Sequence, residues 1–232
     1  MNVVVRYFAG HRDIAKRAEE QFELPDDATV GSLWALLVEH YPRLVGYTGR
    51  MLYAVNQEYS QLDTPLHDGD EVAYIPPVSG GSAGNNSNEF FRITSEPLEP
   101  GALMALVQSP DMGAIVTFTG IVRNHFANRP TAALEYEAFE PMASSVLADL
   151  ASQARIQWGT GAIAIHHRVG HLGIGETAVL IVVAAPHRHE AFEAAEWLMD
   201  RIKEVAPIWK KEHWADGESE WAEDEKTRKN IR

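Results

Sequence analysis

Two lysines, two arginines, a histidine and a pair of glycines carry the chemistry that this sequence could perform. Lys203 and Lys210 bracket the turn Ala206-Pro207 within Lys203-Glu204-Val205-Ala206-Pro207-Ile208-Trp209-Lys210-Lys211-Glu212. A lysine amine serves as nucleophile or base when burial or a neighbouring cation favours its neutral form. Arg123 lies in the run Phe118-Thr119-Gly120-Ile121-Val122-Arg123-Asn124-His125, and a guanidinium suits bidentate phosphate recognition. His187 and Arg188 lie in Ala185-Pro186-His187-Arg188-His189-Glu190-Ala191-Phe192, where a strand should turn into a helix. Helix N-termini with basic side chains beside them attract anions. Each group alone has an ordinary structural explanation: a solvated arginine, a polar helix start, a lysine complementing a helix dipole.

His187 and His189 raise the question of a metal. Zinc needs three or four converging ligands, and no carboxylate spacing supplies the rest. His166 and His167 are adjacent on a strand and point to opposite faces, so at most one could join a cluster. No metal is expected. The chain has no cysteine, which excludes disulfides, thiolate metal sites and cysteine nucleophiles.

Gly80-Gly81 closes the segment Ile75-Pro76-Pro77-Val78-Ser79-Gly80-Gly81. Two residues without side chains can thread a narrow channel, although Gly-Gly-Ser is also a common linker. Ser82 to Asn88 is small, polar and free of apolar period. The expected organisation is therefore residues 1–81 as one domain, 82–88 as a flexible linker and 89–232 as a second domain. Seven linker residues span roughly 15 Å as a coil and about 25 Å when stretched.

The elements that must hold these groups follow from periodicity. In the first segment Val3, Val5 and Tyr7 alternate along a strand, and Phe22-Glu23-Leu24 gives a second. Thr29 caps a helix carrying Leu33, Leu36 and Leu37, which Pro42 stops. Strands at 51–55 and 71–75 complete strand, strand, helix, strand, strand, a β-grasp pattern. The second segment should hold strands at 90–94, 114–122, 133–139, 162–169, 177–185 and 208–213. Helices are expected at 142–157 and 188–205, the latter with Phe192, Ala195, Leu198, Ile202 and Val205 as one apolar stripe. The fold class expected is α+β.

The net charge is −13, with 6 basic and 12 acidic residues in 1–81 (−6) and 14 and 21 in 82–232 (−7). Such a surface argues against a nucleic-acid binder. No apolar run approaches the ~20 residues of a membrane helix. The alternating start, with Arg6 inside it, reads as a strand and not a signal peptide, so a cytoplasmic protein is expected.

Residues 1–81 resemble the small subunit of molybdopterin synthase, a ubiquitin-like sulfur carrier. The matching pieces are Tyr7-Phe8-Ala9, the 30–37 helix, Ala54-Val55-Asn56, Leu66-His67-Asp68-Gly69-Asp70-Glu71-Val72 and the tail from Pro76 to Gly81. Residues 89–222 resemble the large, catalytic subunit of the same family, an α/β hammerhead-type domain. They do so through the motifs above and through Glu135-Tyr136-Glu137-Ala138-Phe139, His167-Arg168-Val169-Gly170 and Gly175-Glu176. The resemblance implies that Gly81 is adenylated by a ubiquitin-activating-like adenylyltransferase and becomes a thiocarboxylate. Sulfur would then pass to cyclic pyranopterin monophosphate, forming the dithiolene of molybdopterin. It implies that Lys203 and Lys210 are catalytic and that Arg123, His187 and Arg188 hold the substrate anion. It implies a homo-oligomer through the catalytic domain, with two copies of each module and no tightly bound cofactor. Two departures matter: the loop after Arg123 reads Asn124-His125-Phe126, and the double glycine is internal. In the separate subunit the double glycine ends the chain, whereas here Gly81 is amide-bonded to Ser82, so cleavage by a processing protease is expected. The competing expectations are a noncatalytic ubiquitin-like adaptor on a phosphate-binding domain, or a carrier serving another thiolation pathway.

Overall fold

The computed structural model describes residues 1–49, 51–76, 90–126 and 128–222. Gly80, Gly81, the linker 82–88 and the charged stretch after Ala222 lie outside the described residues. The chain divides into two compact units, whose described parts are 1–76 and 90–222.

The first unit contains β1 (Asn2–Tyr7), α1 (Ala9–Ala15), β2 (Glu19–Glu23), α2 (Val30–His40), a 3₁₀ helix (Pro42–Tyr47), β3 (Leu52–Val55), β4 (Glu58–Ser60) and β5 (Glu71–Ile75). Its sheet runs β2-β1-β5-β3-β4, with β1 and β5 parallel and the other pairs antiparallel. This is the β-grasp order. Val3, Val5 and Tyr7 turn inward with Val72 and Tyr74, and α2 lays Leu33, Trp34 and Leu37 on them. Thr29 starts α2 with a capping box: the Ser32 N–H donates to its hydroxyl (3.2 Å) and its own N–H donates to Ser32 Oγ (2.8 Å).

The structure adds three elements to the expected five: α1, the 3₁₀ helix and β4. Helix α1 has seven residues, too short to stand by periodicity or propensity. It is held by His11, fully buried, whose Nδ1 lies 2.9 Å from the Tyr74 carbonyl. Strand β4 follows a two-residue hairpin turn in which Asn56 and Gln57 both have positive φ (51° and 69°).

The second unit contains β6 (Phe91–Thr94), α3 (Pro100–Val107), β7 (Ala114–Ile121), β8 (His125–Phe126), β9 (Arg129–Ala138), α4 (Glu140–Trp158), β10 (Ile163–Arg168), β11 (Gly170–Gly173), β12 (Thr177–Ala185), α5 (Arg188–Val205), β13 (Ile208–Trp214) and β14 (Ser219–Trp221). One sheet runs β6-β10-β12-β7 and the other β11-β9-β13-β14, with β8 folded back on β9. Strand β12 is a nearly unbroken apolar run because both its faces are covered. Its Leu180, Val182 and Ala184 meet Leu103 and Val107 of α3. Helix α5 packs on β12 and β7, and α4 packs on α5, β6 and β10.

The expected apolar stripe of α5 needs one correction. Ala195, Leu198, Ile202 and Val205 are buried, together with Ala191 and Ala194, but Phe192 is 62% exposed. The buried stripe is displaced towards Ala191 and Ala194, and Phe192 stands outside it. Among the described residues, no helix is long and apolar enough to cross a membrane.

Candidate active site

The topology sorts the five predicted side chains into two groups. Strand β7 runs antiparallel to β12, so that Ala114 faces Ala185 and Ile121 faces Thr177. Helix α5 then returns along the same strands. His187 caps α5 and Arg188 opens it, both exposed and both next to the Ala185–Ala114 end. Lys203, also exposed, lies in the last turn of α5, at the other end. Arg123 is exposed two residues beyond Ile121, on that same other end. Arg188 and Lys203 lie fifteen positions apart on one helix, about 22 Å along its axis. The eight residues of β7 set a similar distance, about 23 Å, between its two ends. Within one protomer Arg123 and Lys203 therefore share an end with each other and not with His187 and Arg188. None of Arg123, Arg188 and Lys203 forms an ion pair with a described residue.

Lys210 joins the Arg123 end through the hairpin that follows it. Strand β8 carries Phe126, and the Lys210 ammonium sits 4.7 Å from the centre of that ring. The same ammonium lies 2.9 Å from Glu212 Oε1. Residues 210 and 212 share a face of β13 because strand side chains alternate. Glu212 is 1% exposed, so its charge depends on the lysine for compensation. Thr131 also donates to it, at a long 3.4 Å. Tyr136 stands directly across the ladder from Lys210. Burial first, and then the Glu212 charge, push its hydroxyl up to about 12. Its ring meets His167 edge-on at 4.9 Å. His167 is buried, and burial lowers it to about 4 against a raising backbone hydrogen bond, so it is neutral at pH 7. Sequence reasoning did not single out Glu212, Tyr136 or Phe126 as site residues. The signal for Glu212 was present, since a lysine and a carboxylate two apart on a strand meet on one face.

Other motif residues turn out to brace the fold. Arg168 donates to Glu176 (2.8 Å) and to the Ser95 carbonyl, and Glu176 accepts from the Gly173 N–H (2.6 Å). Glu135 lies 2.9 Å from His213 Nε2. Gly120 lies within β7, where an added Cβ would come within 2.6 Å of the Val179 side chain. His189 pairs with Glu193 one turn on (3.4 Å). Among the described residues, no three His, Asp or Glu side chains converge as metal ligands.

The edge strand of the β6-β10-β12-β7 sheet is unusual. All eight residues of β7, Ala-Ile-Val-Thr-Phe-Thr-Gly-Ile, are uncharged, and Phe118 (38%) and Ile121 (56%) are exposed. Soluble proteins ordinarily blunt such an edge with charge or cover it. Phe192 of α5, which packs on β7, adds a third exposed apolar side chain.

An α+β catalytic domain with a cationic site, preceded by a β-grasp domain, defines a class of carrier-fused enzyme. Comparison with known proteins makes the class particular. The MoaE protein family matches residues 93–205 and the ThiS family matches residues 5–81. The molybdopterin synthase catalytic subunit of Nostoc sp. is 44% identical over 57% of this chain and 81% of its own length. That of Bacillus subtilis is 45% identical over 59% of this chain and 87% of its own length. The crystal structure of molybdopterin synthase from Staphylococcus aureus superposes with a TM-score of 0.56 at 42% identity, covering 59% of this chain and 98% of that one. The chain belongs to the molybdopterin synthase catalytic subunit family and carries a ThiS-family domain on the same polypeptide. Its activity is that of molybdopterin synthase, a sulfurtransferase of molybdenum cofactor biosynthesis acting on a pterin substrate.

Proposed function

We propose that residues 1–81 form the sulfur carrier and residues 89–232 the catalytic domain, joined by the linker 82–88. The substrate is cyclic pyranopterin monophosphate. Processing between Gly81 and Ser82 frees the Gly81 carboxyl group, which a ubiquitin-activating-like adenylyltransferase activates for conversion to a thiocarboxylate. Its sulfur attacks a substrate carbon and displaces an oxygen substituent, which leaves with the electrons of the broken C–O bond; water then cleaves the resulting thioester, and the glycine departs as a carboxylate. A second charged carrier supplies the second sulfur of the dithiolene. The protein works in the cytoplasm and holds no tight cofactor.

Lys210 is the observation that carries this assignment. An ammonium against a buried carboxylate and an aromatic face is suited to be a fixed cation that stabilises developing negative charge. Lys203, exposed and without a described ion-pair partner, takes the covalent or proton-transfer role. Arg123, His187 and Arg188 hold the phosphate and pterin.

The distance along α5 and β7 supports a site shared between two protomers. If two β7 edges approach antiparallel about a two-fold axis, each Ala114 end meets the other protomer's Ile121 end. Arg188 of the partner subunit and His187 of the partner subunit then stand beside Arg123 and Lys203. The same approach covers Phe118, Ile121 and Phe192. One dimer thereby holds two composite sites.

The test begins with the intact mass of the protein from its native cell. Fragments ending at Gly81 and starting at Ser82, the smaller heavier by one oxygen-to-sulfur exchange, support a processed, charged carrier. A single uncleaved chain overturns the carrier role of residues 1–81. Lys203→Ala and Lys210→Ala are each expected to lose most product formation; wild-type turnover in either removes that lysine from the mechanism.

A further inference from the structure

Lys210 is held from two sides by groups of different kinds. Glu212 approaches it along its own strand, and Phe126 approaches from the hairpin β8 that follows Arg123. The carboxylate is fixed: Glu212 is almost fully buried in the β9–β13 ladder. The aromatic face belongs to a surface hairpin that begins at the anion-binding arginine. Asn124, next to Arg123, accepts a hydrogen bond from the Thr131 N–H at 3.0 Å, which ties the start of the hairpin to β9. Phe126 and Arg123 are thus two stations on one short, tethered segment.

A cation is attracted to the negative face of an aromatic ring, and the attraction strengthens where water is excluded. Lys210 keeps 29% of its side chain accessible, so Glu212 alone leaves the ammonium free to swing on its four-carbon stem. The ring removes that freedom by occupying a second side of the ammonium. It also couples the lysine to the segment that positions Arg123.

We infer that Phe126 is a positioning residue for the sulfur-transfer reaction: its ring face fixes the Lys210 ammonium and links that placement to the Arg123 hairpin. This rests on the catalytic role given to Lys210 above. The distinguishing property is the ring's electrostatic face, not its bulk. Phe126→Leu keeps an apolar side chain and removes the face, whereas Phe126→Tyr and Phe126→Trp restore it.

The experiment uses the full-length chain, cyclic pyranopterin monophosphate and a separately supplied thiocarboxylate-terminated ThiS-family carrier. Phe126→Leu is expected to lower kcat by roughly 3- to 30-fold, with KM for the pterin changing less and the melting temperature unchanged. Phe126→Tyr and Phe126→Trp are expected to recover most of the loss. Phenylalanine analogues carrying one, two and three ring fluorines at position 126 keep the shape while weakening the face, so kcat should fall stepwise along the series. A flat fluorine series, or wild-type kcat in Phe126→Leu, overturns the inference. Lys210→Ala is the control that separates the two failures. If it is inactive while the fluorine series is flat, only the role of Phe126 fails. If it turns over like wild type, the role of Lys210 itself fails.

Discussion

Complementation between two inactive chains tests the composite site directly. Arg188 and Lys203 lie about 22 Å apart along α5. In a two-fold dimer built on β7, an intact site takes Lys203 from one chain and the partner's Arg188. A chain with Lys203→Ala and a chain with Arg188→Ala should each be nearly inactive as homodimers, since each spoils both sites. A heterodimer of the two places both defects in one site and leaves the other whole. Purified through two different affinity tags, it should recover about half of wild-type turnover, one good site of two. The assay is product formation with thiocarboxylated carrier in excess. Heterodimers no more active than the homodimers would refute the cross-protomer assembly and return all five residues to one chain. The geometry has an independent handle in Ile121, which is 56% exposed and contributes little to its own protomer's core. Ile121→Glu places a charge on the β7 edge, and it should yield a folded monomer by light scattering with turnover lost. A dimer that persists unchanged would show that β7 is not the joint.

The remaining predictions concern stability. Lys210→Ala leaves Glu212 buried beside no cation and should cost about 2 kcal/mol, a drop in melting temperature of roughly 4–8 °C. Lys203→Ala, on an exposed position, should stay within about 0.5 kcal/mol, so calorimetry separates the two lysines whatever their kinetics. Equal melting temperatures would mean that Glu212 is compensated by another group. Burial lowers both His11 and His167 from 6.5 to about 4 in the folded chain. The unfolded chain therefore takes up these protons first. Stability should be full above pH 6.5 and fall as pH drops towards 4, by about 3 kcal/mol for each histidine. Urea unfolding followed by fluorescence of Trp34, whose ring centre is 5.8 Å from that of His11, should report the first of these. His11→Gln should flatten that pH dependence, and an unchanged slope would remove His11 as its source.

The sequence was most legible where one face of an element is buried and the other is wet. The alternation of Val3, Val5 and Tyr7, the Thr29 cap and the full extent of α5 all appear in the structure where periodicity put them. It was least legible where tertiary contacts supply what local preference lacks. Helix α1 exists because His11 is packed under Tyr74 and against Tyr47, and nothing in Ala9-Gly10-His11-Arg12 announces that. Strand β4 is three residues long and rests on a turn with two left-handed residues that are not glycine.

The candidate site shows the same limit in a form that bears on function. Residue types pointed to Arg123, His187, Arg188, Lys203 and Lys210, but a list of types carries no distances. Only the return of α5 along β7 shows that the list divides between two ends of one unit. Two further facts, an eight-residue edge strand without a charge and a phenylalanine outside the buried stripe of its helix, look like separate failures of pattern reading. Sequence periodicity counts Phe192 as core because it assumes that all apolar surface is buried within one chain. Dropping that assumption explains both, and it also closes the gap in the site. The surface left uncovered in one protomer lies along the strand whose two ends hold the separated halves of the cationic cluster. A second copy that covered the first would complete the second.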